Sequence, residues 1–94
     1  MKIRSFRHKG LKRLFLEDVS KGLPSAQSDK LKDMLFALSE AEEIAELEMF
    51  PGWRLHGLKG NRKGHWSMTV TGNWRLVFRL EGKDVYDIDF IDYH

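Results

Sequence analysis

The residues best suited to chemistry lie in a basic stretch in the second half of the chain. Residues 49–80 contain six lysines and arginines and no acid, and His56 and His65 lie among them. Imidazoles exchange protons near neutral pH, while lysine and arginine stabilise negative charge on phosphate oxygens. These residue types are suited to binding a polyanion such as RNA and to moving protons within it.

Charge is segregated along the rest of the chain as well. Residues 1–16 contain six further basic residues and no acid, while acids are concentrated in residues 40–48 and 81–92. The formal net charge is only +2, but segregation produces a local positive field that favours a polyanionic partner. Charge alone leaves open a simpler interpretation, in which these lysines and arginines solvate an ordinary protein surface.

The elements that must position these side chains begin with a short strand at residues 3–6. Apolar residues then recur at helical spacing over residues 8–17 and again over residues 25–39, which predicts two amphipathic helices. A shorter helical piece is expected near residues 42–47, and the segment Met-Phe-Pro-Gly at residues 49–52 predicts a turn.

After residue 52 the spacing of apolar residues changes from helical to alternating. Residues 53–56, 66–70, 74–80 and 86–90 each alternate between apolar and polar side chains, which predicts strands. Residues 59–64 are basic and rich in glycine, and we expect them to form a loop.

The predicted fold is α+β, with the order β-α-α-β-β-β and helices packed on one face of a twisted antiparallel sheet; the motif resemblance described below implies that it is RelE-like. The length of 94 residues fits one domain over residues 1–94. The other face of the sheet would collect polar side chains, namely Arg54, His56, His65, Ser67, Arg75 and Arg79. That face is too cationic for an ordinary solvated surface and is therefore the candidate site.

The first hairpin turn is predicted from the requirement that apolar side chains share one face of the sheet. A two-residue turn at residues 72–73 would place Thr71 opposite Trp74 and put the apolar sets of the two strands on opposite faces. A three-residue turn at residues 71–73 would place Val70 opposite Trp74 and unite them. The three-residue turn is therefore the prediction.

The second hairpin is predicted in the same way. A loop at residues 81–83 would align the apolar residues of the last strand with those of its neighbour. It would also place Asp89 across from Arg75, as a cross-strand pair of opposite charge.

Composition restricts the class of protein further. The chain has no cysteine, so neither a disulfide nor a thiolate zinc site can form. Its four histidines show no His-x-x-x-His spacing, so we expect no metal site and no cofactor. No segment resembles a signal peptide or a membrane span, which favours a cytoplasmic protein without membrane association.

Four segments carry a resemblance to a known family. They are Arg-Leu-His-Gly-Leu-Lys-Gly-Asn-Arg at residues 54–62, Gly-His-Trp-Ser at 64–67, Gly-Asn-Trp-Arg-Leu-Val-Phe at 72–78 and Asp-Tyr-His at 92–94. In this order, and in a chain of this length, they resemble the HigB-type toxins of the RelE superfamily. These are the toxic halves of bacterial type II toxin–antitoxin pairs. The resemblance covers the whole chain and implies ribosome-dependent cleavage of messenger RNA.

The resemblance also implies which residues act. Five positions match the catalytic set of the family: His56, Lys59, Asp92, Tyr93 and His94. Arg75 matches a basic position near that set and would add positive charge. The other residues expected to contact RNA are Arg54, Arg62, Lys63, His65 and Arg79.

Cleavage of RNA without a metal needs three kinds of group. A base takes the proton of the 2′-hydroxyl, an acid protonates the departing 5′-oxygen, and cations stabilise the phosphorane formed between them. We expect His56 and His94 to form the acid–base pair, in an order left unassigned, with Lys59 supplying positive charge. Asp92 would orient a histidine, and Tyr93 would stack on a base or donate a hydrogen bond.

The expected partners also follow from the resemblance. They are the ribosome with its mRNA and a HigA-like antitoxin carrying a helix-turn-helix, through which the complex would bind operator DNA. One alternative is a basic domain that binds ribosomal RNA and blocks translation without cleaving. A DNA-binding repressor is disfavoured, because the second half of the chain predicts strands and no helix-turn-helix is evident.

Overall fold

Two helices cover one face of a five-stranded sheet in the computed structural model, which describes residues 1–93. The elements are β1 (Lys2–Ile3), α1 (Lys9–Glu17), α2 (Ser25–Glu40), β2 (His56–Gly57), β3 (His65–Thr71), β4 (Trp74–Glu81) and β5 (Asp84–Asp92). Short 3₁₀ helices span Ile44–Met49, Pro51–Trp53 and Gly60–Arg62. The predicted α+β class, with helices on one side of the sheet, is confirmed.

The strands are ordered β1-β5-β4-β3-β2 across the sheet. Neighbours from β2 to β5 are antiparallel, as expected, whereas the edge strand β1 lies parallel to β5. No hairpin joins β1 to β5, since the chain passes through both helices first, and a parallel pair requires such a long connection. The sheet therefore has one strand more than the predicted order and one parallel edge.

The hydrophobic core lies between the helices and the sheet. The apolar stripe of α2 is fully buried and consists of Leu31, Met34, Leu35 and Leu38. Leu11 and Leu14 of α1 join it. The sheet contributes Met68, Val70, Leu76, Phe78, Val85, Ile88 and Phe90. Each large side chain buried in this way stabilises the fold by roughly 1.5–3 kcal/mol.

Side chains define both ends of α1. At its start, Nδ1 of His8 accepts hydrogen bonds from the backbone N–H groups of Gly10 (3.0 Å) and Leu11 (3.3 Å). At its end, Asp18 adopts a left-handed conformation with φ of 58°. Its carboxylate lies 2.6 Å from Nζ of Lys32 in α2, and this hydrogen bond raises the pKa of Lys32.

No helix within residues 1–93 is long and apolar enough to cross a membrane.

The turn between β3 and β4 differs from the predicted one. Thr71 pairs directly with Trp74, so the turn has two residues and the three-residue prediction is wrong. The extra residue lies within β3 instead, where Val70 forms a bulge between two paired positions. The bulge shifts the register by one residue and thereby keeps the apolar side chains on one face. The ammonium group of Lys30 donates a hydrogen bond to the carbonyl of Val70.

The hairpin between β4 and β5 repeats this arrangement. Glu81 pairs with Asp84, so this turn also has two residues. The register then shifts between Val77 and Arg79, opposite Asp87, which has φ of 55°.

The shift changes which acid faces which base across these strands. Asp89 lies across from Val77, and Arg75 lies across from Ile91. The predicted loop at residues 81–83 and the predicted pairing of Asp89 with Arg75 are therefore wrong, because the shorter turn and the bulge each displace Asp89 by one position along β4.

The strand predicted over residues 53–56 is also shorter than expected. Pro51 begins a 3₁₀ helix that ends at Trp53, and Arg54 follows in a left-handed conformation. Only His56 and Gly57 pair with β3. Alternation of side chains was an incomplete guide here, because proline fixes a helical φ at the start of the turn.

We expect the His8 cap to stabilise α1 measurably. Replacing His8 with alanine leaves two N–H groups of the first turn without their acceptor and should lower the free energy of unfolding by about 1 kcal/mol. His8→Asn, which restores a capping oxygen, should recover most of the loss. Denaturant unfolding followed by circular dichroism measures both variants. Equal stability of the alanine variant and the wild type would contradict the assignment.

Candidate active site

A cleft of about 490 Å³ opens on the polar face of the sheet. Eight residues line it: Arg54, Leu55, His56, Leu58, Ser67, Thr69, Arg75 and Tyr93. These residues come from four separate parts of the chain, which are the segment leading into β2, and strands β3, β4 and the end of β5. The fold therefore brings together two arginines, a histidine and a tyrosine that are distant in sequence.

Strand register forms the floor of the cleft. His56 of β2 pairs with Ser67 of β3, and Thr69 of β3 pairs with Arg75 of β4. Paired residues on neighbouring strands point their side chains to the same face, with strands about 4.8 Å apart. The alternate residues of β3, such as Met68, are buried in the core on the other face. The polar face predicted from the sequence thus becomes a continuous surface.

A left-handed residue carries the chain from the 3₁₀ helix at Pro51–Trp53 into the cleft. Arg54 has φ of 48° and ψ of 55°, and its N–H donates to the carbonyl of Pro51 at 3.2 Å. The turn is stabilised by the rings of Phe50 and Trp53, which stack with centroids 4.0 Å apart. Left-handed backbone costs a residue with a Cβ roughly 1–2 kcal/mol. Such strain is common at functional sites, where the surrounding structure sustains it.

Arg75 and Tyr93 form the other side of the cleft. Nη1 of Arg75 donates to the carbonyls of Gly72 (2.7 Å) and Trp74 (3.1 Å), and its guanidinium carbon lies 5.8 Å from the centroid of the Tyr93 ring. Carbonyl oxygens hold the guanidinium without neutralising its charge. The N–H of Tyr93 donates to the carbonyl of Asn73 at 2.8 Å, which fixes the end of β5 beside the turn.

Arg79 lies on the same face of β4 but outside the cleft lining. Its guanidinium forms ion pairs with Glu81 (2.7 Å) and Asp87 (3.3 Å), and it lies 4.6 Å from the centroid of the Tyr86 ring. Two carboxylates therefore compensate its charge. The N–H of Asp87 donates in turn to Oγ of Ser5 at 2.9 Å, which ties this cluster to the N-terminal segment.

The remaining predicted RNA-contacting residues surround the basic loop at residues 59–64. Lys59, Arg62 and Lys63 are exposed there and do not line the cleft. His65 follows the loop, half-buried, across from Arg79, and its Nδ1 lies 3.2 Å from the carbonyl of Arg62. These side chains form a basic margin beside β2 and β3.

Two further residues of the predicted catalytic set flank Tyr93 in the sequence. Asp92 is the last residue of β5, is exposed, and pairs with Trp74 across the sheet. His94 lies outside the described residues. Of the predicted site residues, the cleft thus unites Arg54, His56, Arg75 and Tyr93.

Sequence reasoning did not assign four of the residues that line the cleft. Ser67 was expected on the polar face but was given no role, and Thr69 alternates with it along β3, so its place on that face was predictable. Leu55 packs against the core together with Trp53, as the alternation of this segment predicts, and it also borders the cleft. Leu58 follows β2, and no alternation pattern indicated its position.

The cleft offers cations, an imidazole and a partly exposed aromatic ring. Two guanidinium groups can bind phosphate oxygens, and the Tyr93 ring, which is 40% exposed, can stack on a base. His56 is exposed and can exchange a proton with a bound group. Among the described residues, no group of three or more His, Cys, Asp or Glu side chains could hold a metal ion.

Comparisons with known proteins agree with one another. A family model described as the RelE-like toxin of the type II toxin–antitoxin system HigB matches residues 4–94. The endoribonuclease HigB of Proteus vulgaris is 46% identical over 92 residues, which cover 98% of this chain and 99% of that protein. A YoeB/ParE toxin from Agrobacterium tumefaciens is similar in structure, with a TM-score of 0.55 and 19% identity over 100% of this chain and 99% of that one. The last similarity concerns the fold alone.

The backbone of Arg54 gives a prediction about stability. Arg54→Gly and Arg54→Ala remove the same charge, but only glycine adopts φ of 48° without a Cβ clash. We expect the glycine variant to be more stable than the alanine variant by about 1 kcal/mol in denaturant unfolding. Equal stabilities, or a less stable glycine variant, would show that the left-handed conformation is not strained.

Proposed function

The chain belongs to the family of HigB toxins, the RelE-like toxins of type II toxin–antitoxin systems, and we propose that it is an endoribonuclease that cleaves messenger RNA on the ribosome. The observation that supports this most directly is the cleft, whose lining includes His56, two arginines and an aromatic ring. The name of the Proteus vulgaris relative supports the same activity.

We propose that cleavage proceeds through the 2′-hydroxyl of the RNA. A base takes the 2′-proton, the 2′-oxygen attacks the adjacent phosphorus, and an acid protonates the departing 5′-oxygen. The products are a 2′,3′-cyclic phosphate and a free 5′-hydroxyl. His56 would serve as one of the two proton-transfer groups and His94 as the other. Tyr93, which precedes His94, lines the cleft.

Positive charge at the cleft would stabilise the phosphorane. Arg54 and Arg75 line it, and Lys59 would add a third cation from the start of the basic loop. Asp92 would orient a histidine of the pair, and Tyr93 would stack on a base. With imidazoles and cations supplying each catalytic function, the proposed reaction needs no metal or other cofactor.

The ribosome would orient the substrate. The cleft lies on an open sheet face, so it fixes a flexible RNA strand poorly, and ribosome-bound mRNA is already ordered. Three residues of the basic margin, Arg62, Lys63 and His65, would contact RNA outside the cleft, and so would Arg79 beside it. The proposed location is the cytoplasm, where ribosomes and mRNA meet, and the proposed domain is one unit over residues 1–94.

Membership of a type II toxin–antitoxin family implies an antitoxin partner. We propose that this partner is HigA-like and carries a helix-turn-helix, and that the complex binds operator DNA through the antitoxin. The cationic cleft and margin give such a partner an electrostatic target, and exclusion of the bound toxin from the ribosome would suffice for inhibition.

The activity is tested by mapping the 5′ ends of mRNA on programmed ribosomes. We expect wild-type protein to produce breaks at the decoding position, each with a 5′-hydroxyl, and His56→Ala and His94→Ala to lower the cleavage rate by about 100-fold or more. Unchanged circular dichroism spectra would show that both variants fold. Stalled ribosomes on intact mRNA would instead identify a non-catalytic ribosome-binding domain.

The two arginines of β4 give a matched pair of variants. Arg75→Gln should lower the cleavage rate by about 10- to 100-fold, because this guanidinium lines the cleft and only carbonyls hold it. Arg79→Gln should change the rate by less than about threefold, since Glu81 and Asp87 already neutralise its charge. Single-turnover rates on ribosome-bound mRNA measure both. Equal losses in the two variants would contradict this division of roles.

A further inference from the structure

Ser67 is the one polar side chain that is buried within residues 1–93, with 6% of its surface exposed. It does not belong to the core, because its neighbours Trp66 and Met68 point to the helical side of the sheet. Its side chain lies on the floor of the cleft, between β2 and β4. The hydroxyl is therefore accessible chiefly from the cleft.

The Ser67 hydroxyl has no hydrogen-bond partner among the side chains and backbone groups that the structure describes. The residue paired with it on β4 is Val77, an apolar side chain that is 3% exposed. The hydroxyl oxygen itself remains reachable from the cleft, and the buried side-chain polar atom that lacks a partner among the described residues is Oε1 of Gln27 instead. Ser67 therefore presents an uncommitted hydroxyl to a ligand in the cleft.

The position of Ser67 indicates which part of the ligand it contacts. It pairs with His56 across β2 and β3, and the Cβ atoms of directly paired residues lie about 4.5–5.5 Å apart. A phosphate group bound over this pair can therefore contact both the imidazole of His56 and the Ser67 hydroxyl. Arg75 lines the same cleft and would bind the other oxygens of that phosphate.

We infer that Ser67 donates a hydrogen bond to a non-bridging oxygen of the scissile phosphate. This inference rests on the proposed endoribonuclease function. The bond strengthens as negative charge accumulates on the phosphorane, so Ser67 stabilises the transition state more than the bound substrate. Ser67 forms no covalent bond in this reaction, because the 2′-oxygen of the RNA is the nucleophile.

The test compares Ser67→Ala with Ser67→Thr on ribosome-bound mRNA. Because hydrogen bonds to charged groups are strong, we expect the maximal single-turnover rate of the alanine variant to fall by about 10- to 100-fold. The concentration of the variant that gives half of its maximal rate should change by less than about threefold. The threonine variant, which retains the hydroxyl, should recover most of the rate.

Thermal unfolding separates this role from a structural one. Because no described residue is hydrogen-bonded to the Ser67 hydroxyl, Ser67→Ala should leave the melting temperature nearly unchanged while the rate falls. A wild-type rate in the alanine variant overturns the inference, and so does a parallel loss of rate and stability.

His56→Ala in the same assay separates this inference from the function on which it rests. A wild-type rate in that variant would overturn the proposed catalytic cleft itself. Loss of activity in His56→Ala with full activity in Ser67→Ala would overturn the role of the serine alone.

Discussion

Successive side chains of a strand point to opposite faces of the sheet. The apolar residues of β3, β4 and β5 must therefore all point to the same face in order to reach the helices. Both hairpins have two-residue turns, and a turn of this length would by itself place the apolar residues of the two joined strands on opposite faces of the sheet. One bulge in each hairpin, at Val70 and at Asp87, removes the mismatch. The core and the cleft both depend on these bulges, because a shift of one residue would exchange the cationic face for the apolar one.

The bulge at Asp87 also determines which arginine remains available to a ligand. Its left-handed backbone, held by Ser5, places the carboxylate 3.3 Å from the guanidinium of Arg79. Arg75, four residues earlier on the same face, lies across from Ile91 and is held by carbonyl oxygens. The bulge in β5 thus places Arg79 in an ion pair within the fold and leaves Arg75 available at the cleft.

Much of this arrangement follows from the spacing of residues in the sequence. Apolar periodicity predicted both helices and the face of α2 that is buried, and alternation predicted a polar sheet face that includes Arg54, His56 and Arg75. The turns could not be predicted, because a longer turn and a bulge are equally able to bring the apolar residues of both strands onto one face. Alternation also predicted that Leu55 packs with Trp53 against the core, but not that it would border the cleft as well. The parallel pairing of β1 depends on the tertiary path through both helices, which local spacing does not encode.

The way in which His56 is held bears on the need for the ribosome. β2 has two residues and lies at the edge of the sheet, so His56 is supported by β3 on one side only. The other groups of the cleft come from β3, β4 and the end of β5, and no lid covers them among the described residues. An edge strand this short fixes the imidazole less firmly than a central strand would, since fewer backbone hydrogen bonds hold it. Orientation of the reacting groups contributes a large part of any rate enhancement. Under the proposed function, contacts outside the cleft must therefore help to orient the reacting groups. The exposed cations of the basic loop are placed to make those contacts.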